Sequence, residues 1–221
     1  MPACRFDAVI FDLDGVLLDS EPIYLNATNT VLAREGRYLS PEENAAYIGW
    51  RYRDVLREII PRLGLIHPPE YYVAETRQEV LRTLSGPLEP PPGAVELIDR
   101  LEAAGVPIAV GSSSAHAWVE MILTNLGLRE RFPIVVGGDD VAHGKPAPDI
   151  FLRCAELLGV EPSRCAVIED SPHGVQAARA AGMTAIGLRT AATATLTLDG
   201  CLAVVDGLAA CAPHLGFETD D

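Results

Sequence analysis

Residues 7–20 read Asp7-Ala8-Val9-Ile10-Phe11-Asp12-Leu13-Asp14-Gly15-Val16-Leu17-Leu18-Asp19-Ser20, and this stretch decides the fold. Ala8–Phe11 is apolar without alternation and stops at two acids and a glycine. A run of that kind marks a strand buried on both faces of a parallel sheet, followed by a tight turn. Outward from it, similar short runs recur at Val106–Val110, Ile134–Val136, Cys165–Ile168, Met183–Leu188 and Leu202–Val205. Helical stretches stand between most of them, at Ala94–Ala104, Ala115–Leu126, Pro148–Leu158 and Val175–Ala181. In the second of these, Val119, Ile122, Leu123 and Leu126 share one face and Gly127 supplies the stop.

The alternation predicts an α/β fold, a doubly wound parallel sheet of Rossmann-like type. Residues 19–85 break the rhythm. They hold no comparable strand run and read as helices at Pro22–Arg34, Pro41–Ile48, Tyr52–Leu63 and Pro69–Leu84. Leu88–Ala94 carries three consecutive prolines and reads as a stiff connector. The expected organisation is an α/β core of residues 1–18 and 86–221 with a helical insert at 19–85. The acidic end, GFETDD, reads as a frayed tail.

Composition narrows the function. The net charge is −14, which disfavours nucleic-acid binding and docking on an anionic membrane, since both need a basic face. No apolar run approaches the ~20 residues that span a bilayer, and the N-terminus lacks the pattern of a signal peptide. Cys4, Cys154, Cys165, Cys201 and Cys211 are widely spaced and form no CxxC pair, as in a reduced cytoplasmic protein. Of the 17 basic residues, Lys145 alone is lysine. A single lysine in an arginine-biased chain suggests a position where a compact ammonium is not replaceable by a planar guanidinium. As a polar residue at a sheet edge it adds no core volume, so its replacement is expected to spare the fold.

Ligands of a doubly wound sheet bind at the carboxyl ends of its strands. Asp12 and Asp14 follow the first strand; Ser112, Ser113 and Ser114 follow the second; Lys145 precedes the helix near residue 148; Glu169 and Asp170 follow the run at 165–168. Each alone has a structural explanation: a DxDG turn, a helix start at Pro172, or a helix cap, the role expected of Ser114. Together they are harder to explain so. Carboxylates packed at 4 Å repel by roughly 4 kcal/mol per pair at an effective dielectric of 20. A hard divalent cation relieves this, and an all-carboxylate set without a Cys/His cluster suits magnesium rather than zinc. Lysine, hydroxyl and loop N–H groups are donors for a phosphate. One aspartate is then available as nucleophile and a second as general acid and base.

These residues resemble the haloacid dehalogenase superfamily closely. Phe11-Asp12-Leu13-Asp14-Gly15-Val16-Leu17-Leu18-Asp19-Ser20 is similar to its first motif and Ser112 fits its second. Gly144-Lys145-Pro146-Ala147-Pro148-Asp149 fits the third, and Val167-Ile168-Glu169-Asp170-Ser171 with Gly174-Val175-Gln176-Ala177-Ala178 the fourth. The motifs stand in family order over nearly the whole chain. The resemblance implies that Asp12 is the nucleophile and Asp14 the acid/base, and that Ser112 and Lys145 hold the phosphoryl group with Ser113 beside them. It also implies that Asp12, the Asp14 carbonyl, Glu169 and Asp170 bind Mg2+, with Glu169 direct or through water.

The insert resembles the helical cap of the phosphoglycolate phosphatase and β-phosphoglucomutase branch, with Gly49-Trp50-Arg51-Tyr52-Arg53 similar to its specificity loop. Gly49, Arg51 and Arg53 are thus candidate substrate contacts; a solvated helix start is the other reading of the two arginines. Mutases of that branch carry a cap histidine where Tyr24 stands, and residues 1–66 hold no histidine. The expected activity is hydrolysis of a small phosphomonoester such as a sugar phosphate, by a monomer or dimer. A sugar phosphomutase is the nearest alternative. A metal-independent dehalogenase would leave Asp14, Glu169 and Asp170 without a task, and a receiver-like signalling module would have no helical insert. His116, His143 and His173 lie near the same edge and suit surface or capping roles.

Overall fold

The computed structural model describes residues 4–47, 52–190, 193–194 and 196–218. The chain divides into two compact units, Asp19–Pro87 and Met1–Leu18 with Leu88–Asp221. Among the described residues, no helix is long and apolar enough to cross a membrane.

The unit Asp19–Pro87 is helical: α1 (Glu21–Leu32), α2 (Pro41–Ala45), α3 (Tyr52–Leu63) and α4 (Pro69–Leu84). A 3-10 turn, Ala33–Glu35, prolongs α1 and ends at Gly36 with φ 66°. Ser40 starts α2 with a capping box, its hydroxyl accepting from the Glu43 N–H while the Glu43 carboxylate accepts from its own. α2 is shorter than the expected Pro41–Ile48: it ends at Ala45, and Ile48 lies outside the described residues. Helices this short draw their stability from a shared apolar face. Here that face is Val31, Leu32, Leu39, Val55, Leu56, Ile59, Leu65 and Tyr72. The Tyr72 hydroxyl donates to Glu35 Oε1 at 2.6 Å and accepts from the His67 N–H. A second phenol, Tyr52, accepts from the Thr28 hydroxyl and pairs with that of Thr76.

The other unit is an α/β sandwich. Its strands are β1 (Ala8–Phe11), β2 (Ile108–Gly111), β3 (Ile134–Val136), β4 (Cys165–Glu169), β5 (Thr184–Leu188) and β6 (Ala203–Val205). They form one sheet in the order β3-β2-β1-β4-β5-β6, and every pairing is parallel. The helices are α5 (Ala94–Ala103), α6 (His116–Asn125), α7 (Asp149–Leu158), α8 (Pro172–Ala180) and α9 (Ala212–Leu215). All four residues of β1 are fully buried, as the unbroken apolar run requires. On one face Ile10, Ala109 and Val167 pack with Phe151, Cys154, Val175 and Ala178.

α8 begins at Pro172, the helix start that Ser171-Pro172 offers, and not at Val175, because the Ser171 hydroxyl accepts from the Gly174 N–H. The tail is not frayed as far as it is described: Phe217 is buried, its N–H donates to the Ala212 carbonyl, and the Glu218 carbonyl accepts from Arg100. Residues 219–221 lie outside the described residues. α9 spans four residues, too few to announce itself by periodicity.

The strand order reverses between β1 and β4. From β1 the chain proceeds outward to β2 and β3, then returns to β4 on the other side. The crevice at their carboxyl ends is the switch point where such sheets bind ligands.

Candidate active site

Asp12 is the first residue past β1, and its N–H extends the ladder to the Ile168 carbonyl of β4. Beyond it the chain turns sharply. The Leu13 carbonyl accepts from the N–H groups of Val16, Leu17 and Leu18, and the Gly15 N–H donates to the Leu18 carbonyl. Gly15 sits at φ 80°, and a Cβ there would stand 2.0 Å from Asp170 Oδ2. The DxDG pattern is thus a turn and a site at once: only glycine permits both the left-handed backbone and the approach of Asp170.

Register places the next strand. Phe11 lies opposite Val110, so Asp12 meets Gly111 and Ser112 stands one step further. Ser112 is buried, its N–H bonded to the Val136 carbonyl and its hydroxyl accepting from the Ser114 N–H. Ser113 is exposed.

Lys145 links the acids. Its ammonium donates to Asp12 Oδ1 at 2.7 Å, to Glu169 Oε1 at 2.8 Å and to the Gly111 carbonyl at 3.0 Å. It also lies 4.7 Å from the centroid of the Phe151 ring. Its side chain is 5% exposed, so it belongs to the interior and not to a solvated edge. That overturns the basis for expecting its replacement to spare the fold. Burial works against its charge, but Asp12 and Glu169 more than reverse this and hold its pKa above the ordinary lysine value.

Glu169 is fully buried at the end of β4. Besides Lys145 on Oε1, its Oε2 accepts from the Ser171 N–H at 2.7 Å and hydroxyl at 2.9 Å. A Cβ on Gly174 would come within 1.7 Å of Oε1, so the glycine in the first turn of α8 makes room for this carboxylate. Asp12, Glu169 and Asp170 each place one oxygen within 4.8 Å of the others, and all three residues are buried. Burial drives Asp12 well above the ordinary carboxylate range, Lys145 opposes this, and Glu169 and Asp14 reinforce it. Burial, then the Glu169 charge, pushes Asp170 up to about 7. Asp14 is raised too, chiefly by burial. One lysine therefore leaves the acids short of positive charge. Crowded all-oxygen donors in that condition fit a hard divalent cation. Asp12, Glu169 and Asp170 could hold it; the Asp14 carboxylate is not in the group and has a different partner.

That partner is Ser114, whose hydroxyl donates to Asp14 Oδ2 at 3.0 Å. The expectation that Ser114 caps α6 is wrong. Ala115 occupies the cap position without a side-chain bond, and Asp139 Oδ1, reaching across from the loop after β3, accepts from the His116 N–H at 2.6 Å. The His116 ring pairs with Asp140 and the His143 ring with Asp149. The structure thus brings Asp12, Asp14, Ser112, Lys145, Glu169 and Asp170 to one sheet edge. Arg53 lies in the helical unit, exposed and paired with Glu70 at 3.2 Å. Gly49 and Arg51 lie outside the described residues. The sequence places Ser114 at the strand end and Ser171 in the fourth motif but gives no sign of their carboxylate partners, nor of Phe151 beside Lys145. A serine before a helix reads first as a cap, and an apolar residue on a core helix reads only as core.

Comparison with known proteins agrees. Residues 9–188 match the haloacid dehalogenase-like hydrolase family. The fructose-1-phosphate phosphatase YqaB of Escherichia coli is 39% identical over 191 residues, covering 84% of this chain and 97% of that protein. A phosphorylated carbohydrates phosphatase of Thermotoga maritima is 33% identical, covering 81% and 83% respectively. Among solved structures, a haloacid dehalogenase-family hydrolase from Deinococcus radiodurans, with bound phosphate and sodium, superposes with a TM-score of 0.81 at 34% identity, covering 96% of each chain. With its parallel sheet, its strand-end acids and these relatives, the chain belongs to the haloacid dehalogenase-like hydrolase family and is a phosphoric monoester hydrolase.

Proposed function

We propose that the protein is a magnesium-dependent phosphatase that hydrolyses a small sugar phosphate through an aspartyl-phosphate intermediate. The observation that carries this reading is the buried Lys145 ammonium, shared between Asp12 and Glu169 beside a third carboxylate. The Escherichia coli and Thermotoga maritima relatives support the sugar-phosphate class.

Asp12 attacks phosphorus. Its Oδ1 accepts from Lys145, so Oδ2 is the nucleophilic oxygen. As the Asp12 O–P bond forms, the P–O bond to the sugar breaks. Its electron pair stays on the leaving oxygen, which takes a proton from the Asp14 carboxyl. The Asp14 carboxylate then takes a proton from water, whose oxygen attacks the same phosphorus. The Asp12 O–P bond breaks, restoring the carboxylate and releasing inorganic phosphate. The Ser112 hydroxyl binds a phosphoryl oxygen, and Lys145, whose three N–H groups meet Asp12, Glu169 and the Gly111 carbonyl, turns its positive charge toward the phosphoryl group. Asp12, Asp170, Glu169 and the Asp14 carbonyl would hold Mg2+, which when bound would supply positive charge against the transferring group.

Residues 19–87 serve in this reading as a cap that excludes water during turnover, with Gly49, Arg51 and Arg53 contacting the sugar. In this reading it acts in the cytoplasm, as a monomer or a dimer. A panel of sugar phosphates assayed with and without Mg2+ tests the proposal. Asp12→Asn is expected to leave less than about one per cent of turnover, the scale of losing a strong catalytic interaction. Turnover above that level, or full activity in chelator, refutes it. Isomerisation supported by a bisphosphorylated sugar would make the enzyme a mutase instead.

A further inference from the structure

Ser114 is held from three directions. Its N–H donates to the Ser112 hydroxyl at 3.1 Å, and its carbonyl accepts from the Gly138 N–H at 2.7 Å. Its own hydroxyl reaches Asp14 Oδ2 at 3.0 Å across 100 residues of sequence. The Gly137-Gly138 pair makes this possible. A Cβ on Gly138 would stand 2.4 Å from the Ser113 carbonyl oxygen, and one on Gly137 would stand 2.4 Å from the His116 nitrogen. Without side chains at these positions, the loop after β3 presses against residues 113–116 and fixes their backbone. The turn at Leu13–Leu18 fixes the backbone of Asp14 from the other side. A hydroxyl that serves neither a helix cap nor a core contact is thereby set against one oxygen of one carboxyl group.

We propose that Ser114 is a positioning residue for Asp14, engaging Oδ2 so that Oδ1 carries the proton exchanged with the leaving group and then with water. The inference rests on the reading of Asp14 as acid/base. A hydroxyl that donates to Oδ2 keeps that oxygen an acceptor, and the transferable proton falls to Oδ1. The hydroxyl also stops the carboxyl from rotating to exchange its two oxygens. Ser112, which takes a phosphoryl oxygen, receives the Ser114 N–H, so one short chain of hydrogen bonds joins the phosphate site to the proton donor. In the first step the proton moves from Asp14 Oδ1 to the departing alkoxide oxygen as P–O cleavage leaves the bonding pair there. In the second it returns to Oδ1 from the attacking water.

The test uses leaving groups that differ in their need for a proton. A sugar phosphate releases an alkoxide, which must be protonated; 4-nitrophenyl phosphate releases a stable phenolate, which need not be. The full-length enzyme and Ser114→Ala, Ser114→Thr and Asp14→Asn variants are compared by kcat/KM, which reports the first step, on both substrates with saturating Mg2+. Ser114→Ala is expected to lose about tenfold or more on the sugar phosphate, the rate equivalent of one hydrogen bond to a charged group, and under about threefold on the aryl ester. Ser114→Thr, which keeps the hydroxyl, is expected to restore both. Asp14→Asn is expected to show the same substrate selectivity more strongly. Equal losses of Ser114→Ala on both substrates, alongside a selective Asp14→Asn, overturn the role of Ser114 and leave the acid/base assignment standing. An unselective Asp14→Asn overturns the acid/base assignment itself. If Ser114→Ala does not fold, Ser114→Cys replaces it: a thiol donates weakly, and an intermediate selective loss is then expected, with no selectivity refuting the proposal.

Discussion

Replacing Lys145 by arginine conserves charge and is nevertheless expected to lower turnover about 10²–10³-fold, the loss typical of one preorganised transition-state contact. The geometry explains why. Three donors of one nitrogen meet three acceptors in different directions, at 2.7 Å, 2.8 Å and 3.0 Å, with Phe151 beneath. A guanidinium spreads its donors in one plane on a bulkier head, so it cannot meet Asp12, Glu169 and Gly111 from the same point. Lys145→Ala tests the other half of the arrangement. It leaves Asp12 and Glu169 buried without their cation, and breaking a buried pair costs about 3–5 kcal/mol. At about 2–4 °C per kcal/mol for a chain of this size, Tm is expected to fall by roughly 6–20 °C in chelator. Steady-state kinetics at saturating Mg2+ and thermal melts in chelator measure the two effects. Lys145→Arg within about threefold of the parent, a loss below about 1 kcal/mol, would refute the catalytic argument. An unchanged melt for Lys145→Ala would refute the electrostatic one.

Gly174→Ala drives a methyl group into Glu169 Oε1, so Mg2+ affinity measured calorimetrically is expected to weaken, by about tenfold or more, as for lost supporting contacts at metal sites; unchanged affinity would mean that Glu169 is not needed where it stands. In the metal-free protein, burial and Glu169 hold Asp170 at about 7. The folded state thus keeps a proton that the unfolded chain releases near pH 4, and the stability attached to it is present below about pH 4 and lost as the pH rises through about 7. Mg2+ binds the ionised form, so the rise in Tm on adding Mg2+ is expected to grow from pH 5 to 8, and an increment independent of pH would count against the site. Alanine at Arg51 and Arg53 together is expected to reorder the ranking of sugar phosphates while sparing 4-nitrophenyl phosphate; parallel losses on every substrate would mark them as structural.

The strand-end acids were legible because each stands at the end of an apolar run too short and too continuous to be anything but a buried strand. Strand ends in a doubly wound sheet converge, so position along the chain translated into position in space. Lys145 was legible from composition, since it is the one ammonium among guanidinium groups. What composition could not carry was its depth. A lysine in a Gly/Pro loop reads as solvated, whereas Asp12 just past β1, with Gly111 of β2, Glu169 of β4 and Phe151 of α7, encloses it. Ser114 and Asp139 were illegible for a related reason: both make their bonds to partners more than 20 residues away, where local capping rules have no reach. Phe217 follows the same pattern. Its acidic neighbours suggest a tail, and only the turn at Ala212–Leu215 folds it back.

The insertion of residues 19–87 directly after β1 has a consequence for the order of folding. The helical unit is continuous in sequence and can assemble from what has already been synthesised. β1 cannot: its flanking strands begin about 100 and 157 residues later. Asp12 and Lys145 are separated by 133 residues. At about 5–20 residues per second, the ammonium follows the carboxylate from the ribosome by roughly 7–27 s. Throughout that interval the central strand of the sheet has an unpaired edge, and the acids beside it have no counter-charge to draw them inside. Closure of the sheet and neutralisation of its carboxyl end therefore both arrive late, and nascent chains that stop short of β4 carry a helical unit on a central strand that can pair on its β2 side alone.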